Sequence, residues 1–195
     1  MISADPFTVL LEGASDVRAV NALAQRAGVD LERVELVDLG GVTNAAKTLS
    51  RLLEQSAEIQ VAGLCDANEA GVIVRALRRV GLPVRDETDL PSYGFFVCRR
   101  DLEDELIRAL GTARAVGVIE RLALGAKLQV LRGQEAWRDR SLADQLHRFC
   151  GVASGRKGLL AGAFAAELRP KEAPEPLRDL VDRLPRRTGT TEPQN

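Results

Sequence analysis

Histidine occurs once in this sequence, at His147, and the three cysteines, Cys65, Cys98 and Cys150, stand far apart with no CxxC pair. A zinc site built from clustered Cys and His is thereby nearly excluded, and an odd, scattered set gives no disulfide framework. The three thiols read as small reduced hydrophobes in or near the core. Charge of one sign is also missing: 27 Lys and Arg face 28 Asp and Glu, a net charge of −1. No global positive field pulls the chain onto nucleic acid or an anionic bilayer, so any polyanion contact has to be local. No apolar run approaches the roughly 18 residues that cross a membrane. The opening MISADPFTVLLEG carries acid where an export signal needs basic residues, which points to a cytoplasmic protein without membrane contact. The GxxxxGK[ST] spacing is absent, so the chain should not bind ATP by a P-loop. What is present is ordinary globular material: 195 residues, 45% hydrophobic, enough for one core and an appendage.

The apolar run FTVLL (7–11) ends at Glu12-Gly13 and reads as a buried strand. Ser15 and Asp16 offer N-cap chemistry to the helical pattern VRAVNALAQRAG, which Gly28 stops. The unit recurs. VELVDL (34–39) precedes Gly40-Gly41 and a helix over about 43–56; IQVAGLCD (59–66) precedes a helix over about 69–80; YGFFVC (93–98) precedes DLEDELIRALG, with Asp101 as N-cap. Apolar strands alternating with such helices mark βαβ units in a parallel sheet covered on both faces. The expected fold class is therefore α/β, with a four-stranded parallel sheet flanked by helices over 1–111. After Gly111 the strand signals stop, and helices are expected near 112–131, 141–149, 157–168 and 175–184, an extension over 112–184 packed on the core. Residues 185–195 read as a disordered tail.

Right-handed crossovers bring all parallel strand ends to one edge, where ligands bind. Glu12 closes the first strand, Asp66 the third, and Asp101 with Glu103 follows the fourth, while the second end carries Asp38 and the glycine pair. A lone acid at a strand end is usually a helix cap. Several at one edge repel unless cations neutralise them. Oxygen donors without His or Cys point to Mg²⁺ or Mn²⁺.

The segments EGASD (12–16) and LCDAN (64–68), each directly after a strand, resemble the E motif and DxD motif of the Toprim domain, and VLLEGASDVRAV with DLGGVTN is most similar to the Toprim nuclease of the overcoming-lysogenization-defect (OLD) family. The likeness covers about 7–110 plus one point near the C-terminus. It implies a Toprim-like, Rossmann-like fold and a divalent-metal-dependent DNA nuclease using two ions. Glu12 matches the E-motif glutamate, a metal ligand or general base; Asp16 matches the aspartate after it, and Asp66 the first DxD aspartate. The second DxD position is Asn68, a departure that puts full two-metal occupancy in question, with Glu69 as an alternative source of charge. Asp101 and Glu103 resemble the family's distal acids. Lys157, in SGRKG (154–158), resembles a C-terminal lysine that stabilises phosphate charge, and Arg156 adds positive charge beside it. Arg99 and Arg100 are further candidates for steering a phosphodiester.

OLD proteins normally join this domain to an ATPase, so a partner ATPase acting in trans is implied, or else a free-standing nuclease of modest activity; a homo-oligomer is a further option. Two other readings stand: a catalytically weak metal- or phosphate-binding partner module, and a small Toprim endonuclease acting on RNA. A topoisomerase would need a nucleophilic tyrosine, and the only one is Tyr93. His147 reads as a satisfied or surface residue. Trp137 is a candidate base-stacking side chain, with anchoring of its helical segment the stronger reading.

Overall fold

FTVLL has five consecutive side chains suited to the interior of a sheet, and in the computed structural model all five are buried in β1 (Phe7–Leu11). The structure describes residues 7–56, 59–153 and 155–187. Three further strands, β2 (Val34–Asp38), β3 (Val61–Asp66) and β4 (Phe95–Cys98), complete a sheet of order β2-β1-β3-β4 in which every pairing is parallel. The expected α/β class and four-stranded parallel sheet are thus observed. β2 departs from the expectation of strands apolar throughout: as an edge strand it leaves Glu35 and Asp38 exposed.

The helices are α1 (Ala14–Arg26), α2 (Ala45–Gln55), α3 (Ala70–Arg79), α4 (Leu102–Leu110), α5 (Thr112–Arg121), α6 (Gly125–Arg132), α7 (Leu142–Gly151), α8 (Arg156–Glu167) and α9 (Glu175–Arg183). Alternation along the strands divides the core in two. Leu10, Cys65 and Phe95 face α2, α3 and the 3-10 turn Glu87–Tyr93. Val9, Leu11, Ala62, Leu64, Phe96 and Cys98 face a larger cluster that takes in α1 and α4 to α9. The helices after Gly111 are therefore continuous with the core on that face. At Gly63 the strands press close, since a Cβ there would lie 2.6 Å from the Phe95 ring and 2.9 Å from the Leu10 carbonyl oxygen.

Several local expectations shift. The cap of α1 is Gly13 rather than Ser15, and Asp16 reaches back to accept from the Gly13 amide at 3.2 Å, closing a capping arrangement. The segment expected as one helix over 112–131 breaks between Arg121 and Gly125, where Ala123, not itself a glycine, takes φ +56°. Pro185 to Arg187, expected within the loose tail, pair with 28–30: Asp30 N–H donates to Pro185 O at 2.9 Å and Arg187 N–H to Gly28 O at 3.1 Å. The rest of that tail, 188–195, lies outside the described residues, as does Ser154 of the SGRKG segment.

Two features of this architecture position the site. The chain moves from β1 outward to β2, then returns past β1 to β3, so the order reverses between β1 and β3 and their carboxyl ends flank a crevice. On the larger face, α8 runs along α1 through small residues. A Cβ at Gly158 would meet Arg18 Cδ at 3.3 Å, and one at Gly162 would meet Arg18 Cβ at 3.3 Å. This close approach carries Lys157, at the start of α8, to the strand-end edge.

Candidate metal centre

Glu12 leaves the sheet one residue past β1, Asp66 is the last residue of β3, and Glu69 closes the 3-10 turn Ala67–Glu69 that leads into α3. Each offers a carboxylate oxygen, and the three oxygens lie within 4.8 Å of one another. The crevice at the order reversal thus holds a compact cluster of three acids from three segments. All three are half-buried. Asn68 is exposed and stands outside the cluster, because the turn places residue 69 rather than 68 over the strand ends.

Around this cluster lie further acids with partners of their own. Asp16 is 7% exposed and accepts from the Gly13 amide and, at 3.3 Å, from the Ser15 hydroxyl. Glu103, in the first turn of α4, is 3% exposed; one of its oxygens lies 3.3 Å from Lys157 Nζ and the other is buried without a hydrogen-bond partner among the described residues. Asp101 caps α4 by accepting from the Asp104 amide at 2.9 Å, and its second oxygen meets His147 Nε2 at 2.6 Å. That pairing had no signal in the sequence, since 46 residues separate the partners. Asp38 is exposed and caps the Gly40 amide at 2.8 Å, which takes it out of the cluster.

Crowding of like charge in a partly dry crevice has the expected electrostatic result. Burial pushes Asp66 up to about 7, and Glu12, Asp16, Asp101 and Glu69 reinforce the rise. Glu69 also reaches about 7, through burial, a side-chain hydrogen bond with Glu12 and the charges of Glu12 and Asp16. Burial raises Asp16, opposed by backbone hydrogen bonds and by Lys157. Burial likewise raises Glu103, with Lys157 offsetting part of the rise. For Lys157, partial burial works against the charged form, yet Glu103, Asp16 and Asp66 hold its ammonium above the usual lysine range.

The remaining basic candidates sit at the margin of this edge. Arg99 is exposed, and its backbone N–H donates to Glu105 at 3.0 Å. Arg100 lies 3.8 Å from Asp104 and 3.9 Å from Asp144. Arg156 stacks over the Phe149 ring at 4.2 Å and donates to the Phe149 carbonyl at 3.3 Å. The three cysteines are buried and free, and desolvation lifts Cys65 and Cys150 to about 12 and Cys98 higher still, so none is a reactive thiolate.

The donor set suits a hard divalent cation. Its ligands are oxygens only, a buried Glu69 oxygen lacks any hydrogen-bond partner among the described residues, and the acids repel one another without a counter-ion. Among the described residues no helix is long and apolar enough to cross a membrane.

No protein-family model matches the chain, and no curated protein is significantly similar to it. Solved structures do match. The C-terminal region of the Burkholderia pseudomallei OLD protein superposes with a TM-score of 0.63 at 21% identity, over 90% of this chain and 94% of that one. The C-terminal region of the Xanthomonas campestris pv. campestris OLD protein gives a TM-score of 0.64 at 21% identity, over 93% and 95% of the two chains. At such identity the likeness is one of fold, and it extends through the helices after Gly111 as well as the sheet.

Proposed function

From a chain with the Toprim fold of the OLD C-terminal regions, we propose a divalent-metal-dependent nuclease that hydrolyses DNA phosphodiesters. The observation that supports this most is the convergence of Glu12, Asp66 and Glu69 within 4.8 Å at the sheet's order reversal. These three would hold Mg²⁺ or Mn²⁺, and Asp16, Asp101 and Glu103 supply the surrounding negative charge. Ions held by these residues would supply Lewis-acid polarisation of a phosphodiester and positive charge to offset the leaving oxygen. Asp66 and Glu69, with pKa values near 7, give up protons as a cation enters, so affinity for the ion rises with pH through neutrality. Lys157, tethered by Glu103 at 3.3 Å and half exposed, is placed to offset charge building on a phosphate. A partner ATPase acting in trans would control engagement with DNA.

A second reading is favoured by one observation. Among the described residues a single group of three carboxylates, Glu12, Asp66 and Glu69, comes together, and Asn68 is exposed outside it, which suits a single-ion module that binds metal or phosphate without turnover. Incubation of the purified protein with plasmid, single-stranded DNA and RNA in Mg²⁺, Mn²⁺ or EDTA separates these readings. Metal-dependent DNA cleavage that disappears in Glu12→Gln and Asp66→Asn supports the nuclease. Cleavage that persists in both variants removes the site, cleavage of RNA alone moves the substrate, and no cleavage with any metal leaves the binding module.

A further inference from the structure

Next to the acidic edge, on the C-terminal helices, lies a surface of the opposite character. A cavity of about 580 Å³ is lined by Arg100, Trp137, Arg140, Asp144, His147 and Arg148 among others. A second, of about 450 Å³, shares Arg148 and continues past Phe149 to Lys127 and Arg156. The two together form one groove with five basic side chains against one carboxylate, Asp144, in a chain whose net charge is −1. Two of its guanidinium groups lie over rings, Arg148 over Trp137 at 5.7 Å and Arg156 over Phe149 at 4.2 Å, while Arg100 is 3.8 Å from Asp104 and 3.9 Å from Asp144. Val130, 69% exposed, adds an apolar wall to the second cavity.

The groove is held open by its framework. The loop carrying Trp137 and Arg140 between α6 and α7 is fastened by buried Gln145, whose amide donates to the Trp137 carbonyl at 2.8 Å and the Arg140 carbonyl at 3.2 Å. Arg132 Nε donates in turn to the Gln145 side-chain oxygen at 3.0 Å. Both parts of the groove border the candidate metal centre. His147 in the first cavity touches Asp101 at 2.6 Å, and Arg156 in the second precedes Lys157, which lies 3.3 Å from Glu103.

We propose that this groove binds single-stranded nucleic acid and leads it to the acidic edge, an inference that rests on the nuclease reading for its destination and on charge for its occupant. Guanidinium groups spaced along a groove track phosphates, while the partly buried Trp137 offers a ring against which an unpaired base lies; Phe149 is fully buried and serves only to seat Arg156. Cavities of this size, within the roughly 300–1,000 Å³ that accept small ligands, have room for a nucleotide unit.

Trp137 is the only tryptophan, so its emission reports on the groove directly. The test titrates the full chain with fluorescein-labelled oligothymidylate in EDTA, where no turnover occurs, following anisotropy and Trp137 emission across a KCl series. The wild type should bind with quenching of Trp137. Arg140→Glu/Arg148→Glu should weaken binding by about tenfold or more and flatten the slope of log K against log salt by about 1.4, the share of two phosphate contacts on a single strand. The milder Arg140→Gln/Arg148→Gln pair should show the same flattening, which guards against loss of fold in the charge reversal. Unchanged affinity in both double variants, unchanged Trp137 emission at saturation, or competition by duplex equal to that by the single strand would each overturn the proposal. A chain that cleaves no substrate yet shows the expected binding changes overturns the nuclease and keeps the groove. One that cleaves while the variants bind as wild type does the reverse.

Discussion

The strand-end edge and the helical groove hold opposite charge in different ways. At the edge, carboxylates are partly or wholly withdrawn from water: Asp16 is 7% and Glu103 3% exposed, and Asp66 is lifted to about 7. In the groove, Arg140 and Arg148 are exposed and Arg148 rests against an aromatic ring, so their charge is hydrated and costs little. The edge is therefore a strained arrangement that a cation relaxes, whereas the groove is at ease before anything binds. Removing charge from the edge should change stability and pH response as well as activity. Removing it from the groove should change binding alone.

The contrast is tested most severely at the cluster itself. Glu12→Gln or Asp66→Asn should lower metal-dependent cleavage by on the order of a thousandfold, about 4 kcal/mol of barrier. Far-UV circular dichroism should stay native, and the ion-free Asp66→Asn protein should melt no lower than wild type, since a repelling charge has been removed. Next in size is Lys157→Met, which should cost cleavage about a hundredfold and destabilise the fold by roughly 1–2 kcal/mol. That is below the usual cost of breaking a buried pair, because half the lysine is in water. Glu103→Gln in the same chain should recover most of the stability and none of the rate, as a double-mutant cycle by urea unfolding and cleavage assay would show.

A finer test separates neighbours. Glu69→Gln should weaken Mn²⁺ binding by about tenfold, within the range for residues that support a metal site, while Asn68→Ala should leave the calorimetric affinity unchanged.

The smallest effect is the response to pH. The folded protein without metal keeps Asp66 protonated up to about 7, whereas its ordinary value is 3.8. That contribution to stability is present below about pH 4 and is lost as pH rises through 7. Solvent reaches part of the site, so the loss is on the order of 1 kcal/mol, about 2–4 °C for a chain of this size. The melting temperature in EDTA should fall between pH 5 and pH 8 relative to Asp66→Asn, and Mg²⁺ should restore more of it at pH 8 than at pH 5.

Much of the edge was legible because it is written locally. FTVLL ends where β1 ends, VAGLCD closes at Asp66, and parallel topology places the following acids together without any knowledge of packing. Whether residue 68 or 69 joins them depended on the phase of one 3-10 turn, which composition does not encode. The break at Ala123 was hidden for a similar reason: a non-glycine residue takes a left-handed conformation there, which L side chains rarely adopt. Lys157 was marked by its motif, but its pairing with Glu103 depends on the fit of α8 glycines around Arg18, a contact distant in sequence. The groove was least legible, with Trp137, Arg100, Arg156 and His147 each weighed one at a time; its basic residues are spread from 100 to 156 and read singly as solvated surface.

The central claim is that three acids at the order reversal of the sheet form a site for hard cations. Crystals soaked in Mn²⁺ and measured for anomalous scattering test it directly. The account predicts a peak within coordination distance of Glu12, Asp66 and Glu69. Saturating Mn²⁺ with no peak at these carboxylates would contradict it.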